Sequence, residues 1–195
     1  MTGDPVADVL PVLAEHAADV DQESRFPVEA MAALRASGLM GLLVPKEYGG
    51  LGGELRDLAD VAGRLAGACL STAMVWAMHC QQVDTIVRFG RPALTERLLP
   101  RIADGSIYVA SVTSERGKGG HLLTATAPLA IDGDRLRIDR DAPVVTGGLR
   151  ADAYLITMRE HADAAPGQVS LVYAERDQLA ITAGGGWHAL GMRGT

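Results

Sequence analysis

The sequence predicts an α+β fold: an N-terminal all-α helical domain over residues 1–105, followed by an antiparallel β-sheet or partial β-barrel domain over residues 106–195. In the first half, apolar residues recur every three or four positions, which is typical of amphipathic helices. From Ile107 onward they alternate with polar residues, as in half-buried strands. Because helices come first and strands follow, without a βαβ alternation, the pattern indicates α+β.

Five helices are predicted in the first half of the chain. They cover, in order, about residues 6–20, 27–38, 55–68, 72–89 and 92–105. Proline in a first turn and glycine after a last turn mark several of these boundaries. Ser71 is the expected N-cap of the fourth helix, because a serine hydroxyl can accept a hydrogen bond from an unpaired N–H group there.

The pattern of the second half of the sequence predicts strands joined by turns. A first strand covers residues 107–112, Leu136 and Ile138 belong to a strand that follows a turn at Gly133, and two further strands cover residues 153–158 and 169–173. The first strand runs into residues 111–121, SVTSERGKGGH, whose glycines let backbone N–H groups turn toward a ligand. The residues alone leave open whether this is a ligand-binding loop or an ordinary hairpin loop.

Composition and charge narrow the class of protein. The net charge of −6, with scattered basic residues, argues against a nucleic-acid-binding face, and no apolar run approaches the ~20 residues of a membrane span. Cys69 and Cys80 are the only cysteines and have no metal-ligand spacing around them. We therefore expect a reduced, cytoplasmic protein that binds neither nucleic acid, membrane nor metal, with both thiols buried.

Six segments in order resemble the acyl-CoA dehydrogenase family. They are RFPVEAMAALRASGLMGLLVPKEYGGLGG, STAMVWAMH, LLPRIADG, SVTSERGKGG, APVVTGGLRADAYLI and WHALGMRGT. Together they cover nearly the whole chain, and chance matches would not keep both order and spacing. The resemblance implies a flavoprotein oxidoreductase of fatty acid metabolism, with FAD held between a helical domain, a middle β domain and a C-terminal helical bundle.

The resemblance assigns a flavin site to two of these segments. The family loop Thr-Glu-Pro-Gly-x-Gly-Ser-Asp corresponds to residues 114–121, which implies flavin contacts for Thr113 and Ser114 and phosphate-proximal positions for Gly119 and Gly120. An alignment that matches residues 112–113 to the family's Val-Thr, with one inserted residue after it, stays open. PVVTGG resembles the family's aromatic-Ile-Thr-Asn-Gly turn, which implies flavin contacts for Val144 and Thr146.

Departures from the family pattern raise questions about substrate and reaction. Arg116 and Lys118 make the loop cationic, which favours phosphate groups of FAD or CoA, although solvated charges are the alternative. His79 lies on the helix that lines the family's acyl pocket, so it is a candidate substrate contact or else a core histidine. Valine replaces the aromatic residue at position 144, so the aromatic wall is missing.

No glutamate in the sequence matches the family's catalytic-base motif, so no catalytic residue is named. The resemblance implies an acyl-CoA or related acyl thioester as substrate, and a homo-oligomer or partner subunit that supplies the C-terminal half. Three functions follow: an acyl-CoA dehydrogenase-like enzyme, a flavin-dependent monooxygenase of the same fold, or a non-catalytic subunit or fragment. The electron acceptor is not identified.

Overall fold

The computed structural model of the protein describes residues 3–117, 121, 123–183 and 186–195. It consists of two compact units, one formed by Met1–Val109 with Gly185–Thr195 and the other by Ala110–Gly184. We call them the helical unit and the sheet unit. The predicted domains, residues 1–105 and 106–195, stay a prediction; the last residues of the chain group with the helical unit.

The helical unit contains the five predicted helices. They are α1 (Pro5–Gln22), α2 (Val28–Ala36), α3 (Leu55–Ala68), α4 (Leu70–Phe89) and α5 (Pro92–Ala103). Helix α1 begins at Pro5 because Oδ1 of Asp4 accepts a hydrogen bond from the N–H of Val6 at 3.0 Å. Among the described helices, none combines the length and the apolar composition needed to span a bilayer.

The core of the helical unit is built from the apolar faces of these helices. Its fully buried side chains include Leu13, Leu34, Leu65, Trp76, Val83, Leu98, Leu99 and Ile102. The indole N–H of Trp76 donates to the carbonyl oxygen of Leu39 at 3.0 Å, so the largest core side chain also fixes the connection after α2. The predicted helical periodicity therefore identifies the faces that pack together.

The predicted N-cap at Ser71 is wrong. Helix α4 begins at Leu70, two residues before the predicted start, after the extended residue Cys69, whose N–H still bonds to the carbonyl of Leu65 at the end of α3. Ser71 lies inside the helix, where its Oγ accepts a hydrogen bond from the N–H of Gly194 at 3.1 Å. The hydroxyl therefore holds the C-terminal segment instead of capping the helix.

The C-terminal segment is close-packed against the helical unit. A Cβ atom added to Gly194 would lie 2.4 Å from Cγ1 of Val20 and 2.7 Å from the carbonyl oxygen of Arg25. Nε of Arg193 donates to the carbonyl of Asp21 at 2.7 Å, near the end of α1. A basic side chain at a helix C-terminus is favourable because it satisfies unpaired carbonyls there.

The sheet unit contains a three-stranded sheet and a separate hairpin, except that Val109, the first residue of the first strand, belongs to the helical unit. The sheet has the order β1 (Val109–Val112), β4 (Ala153–Arg159), β5 (Val169–Glu175), and β4 pairs antiparallel with β5 from Ala153↔Glu175 to Arg159↔Val169. The hairpin joins β2 (Ala130–Asp132) and β3 (Arg135–Arg137) through a turn with Gly133 at φ 63°. Central strand β4 is buried along nearly its whole length. These elements confirm the α+β class.

Candidate functional site

Two segments that the sequence assigns to a ligand site lie side by side in the sheet unit. One follows β1 and contains Thr113 and Ser114, and the other contains Val144 and Thr146. Oγ of Ser114 donates to the carbonyl oxygen of Val144 at 2.5 Å and accepts from its N–H at 3.2 Å. One hydroxyl therefore satisfies both backbone groups of a residue 30 positions away and fixes the two segments together.

The second segment ends in a tight turn. Gly147 has φ 60° and ψ 15°, a left-handed conformation that glycine and asparagine adopt most readily, so glycine suits the place of the family's asparagine. The hydroxyl of Tyr154 donates to the carbonyl of Gly148 at 2.6 Å and accepts from Nη1 of Arg176 at 2.8 Å. Burial raises the pKa of Tyr154. The turn is thus held from β4 by a neutral phenol.

Glu115 lies beside the first segment, and little of its side chain is exposed to solvent. It accepts hydrogen bonds from the N–H groups of Thr126 and Ala127, both at 2.7 Å, and its Oε1 lies 2.9 Å from Nη1 of Arg140. Burial alone would raise the pKa of Glu115, but these two N–H groups and the Arg140 charge outweigh it and hold the pKa below its usual range. Glu115 is therefore a structural anion.

Arg140 completes this ion pair and also holds the loop backbone. Its Nη2 donates to the carbonyl oxygens of Thr113 at 3.3 Å and Ser114 at 3.0 Å. The side chains of Arg140 and Glu115 are only 4% and 8% exposed. Nε and Nη1 of Arg140 have no hydrogen-bond acceptor in suitable geometry among the described residues, so the contact with Glu115 is a charge interaction.

Arg116 lies at the exposed end of the same loop. Its Nε is 2.7 Å from Oδ2 of Asp141, and the two side chains are 74% and 62% exposed. An ion pair so accessible to solvent is screened by water and weak, so it can open readily. Lys118, Gly119 and Gly120, which the sequence assigns to the same loop, lie outside the described residues.

His79 is in the helical unit and is completely buried in α4. Its Nδ1 accepts the N–H of Val109 at 3.0 Å, so Nε2 carries the proton and donates to the carbonyl oxygen of Met40 at 3.1 Å. The ring also lies 5.8 Å from that of Tyr108. This geometry is that of a neutral core histidine, the alternative left open by the sequence, and a contact with substrate stays a prediction.

The two cysteines are buried and free, as expected. Burial raises the pKa of Cys80 well above its usual range, so its thiol stays protonated and unreactive. Across the part of the chain that the structure describes, no group of three or more histidine, cysteine or acidic side chains is arranged to hold a metal ion.

Sequence reasoning missed the contributions of Arg140 and Tyr154 to this site. Arg140 lies two residues after Ile138, on the apolar side of the predicted alternation, and a charged residue at such a position is a signal of a buried ion pair. Tyr154 is the second residue of a predicted strand and gave no signal beyond its β propensity. The motif PVVTGG located the turn, but nothing local in the sequence indicates that this hydroxyl bonds to the carbonyl of Gly148.

A protein-family model described as "Acyl-CoA dehydrogenase, N-terminal domain" matches residues 9–106, which is half of the chain. The chain belongs to the acyl-CoA dehydrogenase family. The family model covers most of α1 and all of α2–α5, and similarity to relatives extends into the sheet unit.

Curated relatives within and around this family include different activities. Cyclohex-1-ene-1-carbonyl-CoA dehydrogenase from Syntrophus aciditrophicus is 31% identical over 185 residues, which cover 93% of this chain and 44% of the relative. L-evernosamine nitrososynthase from a Micromonospora species is also 31% identical, over 97% of this chain and 46% of the relative. The chain thus spans about half the length of the curated relatives it matches.

Solved structures give the same range of similarity. A nitrososynthase from Micromonospora carbonacea var. africana is 30% identical, with a TM-score of 0.78 over 96% of this chain and 49% of that one. The acyl-CoA dehydrogenase from Geobacillus kaustophilus has a TM-score of 0.84 at 22% identity, over 96% of this chain and 51% of that one. At that identity the second comparison supports the acyl-CoA dehydrogenase fold alone.

Proposed function

We propose that this chain forms part of the flavin and acyl sites of an FAD-dependent, acyl-CoA dehydrogenase-like oxidoreductase that acts on the CH–CH group of an acyl thioester. Family membership supports the reaction class. The observation that supports a site within this chain is the pairing of Ser114 with Val144, because it joins the two segments that resemble the family's flavin motifs. Bound FAD would supply the two-electron acceptor for the dehydrogenation.

The residues present fit one edge of a flavin ring. Val144 is 46% exposed and offers an apolar surface; it is hydrogen-bonded to Ser114 and precedes the hydroxyl-bearing Thr146 by two residues. Ligand sites commonly combine an apolar wall with a few polar groups that set orientation. Because Ser114 uses its proton and one lone pair on Val144, it can accept but not donate a further hydrogen bond.

Arg116 is proposed as a phosphate contact, together with Lys118. In the described structure Arg116 pairs with Asp141 on the surface, and an exposed pair exchanges partners at low cost. A phosphate group would replace one carboxylate oxygen with several acceptor oxygens of higher charge. His79, by contrast, already uses both ring nitrogens, so a substrate role would require it to release Met40 or Val109.

The partners of the site are proposals as well. We propose an acyl-CoA or related acyl thioester as substrate, and assembly as a homo-oligomer or with a partner subunit. No catalytic base is proposed within this chain, and the electron acceptor is left open. A cytoplasmic location stays a prediction from cysteine usage. A non-catalytic subunit is the further possibility, which a flavin-loaded chain that works without a partner would rule out.

A flavin titration tests the proposal. The purified chain, alone and with any candidate C-terminal partner, is titrated with FAD and FMN while flavin absorption and fluorescence are followed. Val144→Asp is expected to weaken binding about tenfold or more, because a carboxylate would face the ring. Val169→Asp is the matched control, since Val169 is a 37%-exposed valine at the start of β5. Folded protein that retains neither flavin would overturn the proposal.

A flavin-dependent monooxygenase is the second candidate. It is supported by Val144 in the place of the family's aromatic residue and by the 31% identity to the nitrososynthase. Smaller bulk at this position leaves more room over a ring face. Flavin-reductase-dependent oxygen consumption would support this candidate, whereas anaerobic bleaching of the flavin by an acyl-CoA would support the dehydrogenase.

A further inference from the structure

We propose that Arg140 is a positioning residue that holds residues 113–114 against the turn at residues 144–146, so that a flavin meets both segments as one preformed surface. The inference rests on the proposed flavin function. It concerns a residue that neither of the two family-like motifs contains. Arg140 acts through the backbone it holds, because a side chain that is 4% exposed has little surface left for a ligand.

Arg140 is hydrogen-bonded to the backbone of the loop that follows β1. One nitrogen of Arg140, Nη2, donates to two consecutive carbonyl oxygens, those of Thr113 and Ser114. Consecutive carbonyls in a strand point to opposite sides, so two that meet the same donor require the chain to leave the extended conformation. β1 accordingly ends at Val112, directly before them. The guanidinium thereby sets the direction in which the segment leaves the sheet.

The second step is the anchor of Arg140 itself. Glu115 holds Nη1 at 2.9 Å and is fixed in turn by the N–H groups of Thr126 and Ala127. The planar guanidinium can contact the carboxylate with one nitrogen and the two carbonyls with another, which a lysine ammonium on its flexible stem cannot reproduce. Residues 113–115 therefore contact Arg140 directly, and the backbone of residues 126–127 holds it through Glu115.

The third step connects this cluster to the second motif. Arg140 is four residues before Val144, and Ser114, whose carbonyl Arg140 holds, bonds to Val144 through its hydroxyl. Arg140, Val144 and Ser114 therefore form a ring of contacts. The backbone connects Arg140 to Val144, one hydrogen bond joins Val144 to Ser114, and another joins Ser114 to Arg140. Removing the guanidinium removes the charged donor that bonds to the carbonyls of Thr113 and Ser114.

The experiment compares Arg140→Met and Arg140→Lys with Arg137→Met, an exposed arginine in β3 that serves as the control. Amide hydrogen exchange is measured without flavin, and FAD affinity and the visible circular dichroism of bound flavin are measured separately. In Arg140→Met we expect exchange at the Val144 amide to be faster by about tenfold or more, FAD affinity to fall about tenfold, and the visible dichroism to change.

The lysine variant separates positioning from charge. It retains a cation for Glu115 but lacks the planar fork, so we expect intermediate exchange and intermediate affinity. If Arg140→Met fails to fold, Arg140→Lys carries the same test. In the control variant Arg137→Met, hydrogen exchange at the Val144 amide and FAD affinity should match those of the unmodified chain.

The outcomes distinguish this inference from the proposed function. Unchanged exchange at Val144 in the Arg140 variants overturns the positioning role whether or not flavin binds. Faster exchange with unchanged FAD affinity and dichroism also overturns it, because the segments would then not need to be held for flavin. If the unmodified chain binds no flavin, the proposed function fails, and with it the claim that this surface is preformed for a flavin.

Discussion

Replacing His79 with leucine distinguishes a core histidine from a substrate contact. Leucine fills a similar volume but leaves the Val109 N–H and the Met40 carbonyl without partners inside the helical unit. Each buried, unsatisfied backbone group costs about 1–3 kcal/mol, and the more apolar side chain offsets part of that cost. We expect a net loss of about 2–4 kcal/mol, which lowers Tm by about 5–15 °C for a chain of this size.

Thermal unfolding followed by circular dichroism measures this loss. His79→Gln should recover part of it, because the amide can both donate and accept, and His161→Leu should change little, because His161 is exposed. A His79→Leu variant with unchanged Tm but weakened acyl-CoA binding would refute the core assignment. The substrate contact predicted from the sequence would then be the better interpretation.

Substitutions of Gly194, Glu115 and Tyr154 test other contacts. Gly194→Ala should destabilise the helical unit by about 1–3 kcal/mol in urea unfolding, because its Cβ would overlap backbone and side-chain atoms. Gly191→Ala is the control and should be neutral, because no atom lies within 4 Å of the Cβ added there. Equal effects of the two substitutions would contradict the close packing around Gly194. Glu115→Gln should cost about 3 kcal/mol at neutral pH, since the buried Arg140 charge loses its partner. Because the pKa of Glu115 is lowered in the folded state, its contribution to stability is present above the ordinary pKa of about 4.3 and is lost as pH falls through the folded-state pKa. The difference in stability between the unmodified chain and Glu115→Gln should therefore shrink in acid. A difference that stays constant with pH would refute this coupling of stability to pH. Tyr154→Phe should cost about 1–2 kcal/mol in the same unfolding assay, because the Gly148 carbonyl loses its donor, and no loss would show that the turn is held otherwise.

The helices were predictable because their signals are local. Apolar spacing identified all five, and it gave α3 the same bounds as the structure, Leu55–Ala68. The start of α4 was not predictable in the same way. A serine just inside a helix has the same local signature as an N-cap, and what decides its role is Gly194, 123 residues away.

The candidate site shows the same limit at the level of chemistry. Motif resemblance brought Ser114 and Val144 into one hypothesis, and the structure joins them by a hydroxyl that bonds to both backbone groups of Val144. The resemblance could not reveal that the Ser114 hydroxyl already makes both of these hydrogen bonds within the protein. What a flavin could meet at this position is therefore mainly the valine side chain, which is 46% exposed. Ser114 cannot donate a hydrogen bond to a ligand and also keep its bond to the Val144 carbonyl, so any ligand that needs a donor here would break the contact that joins the two segments.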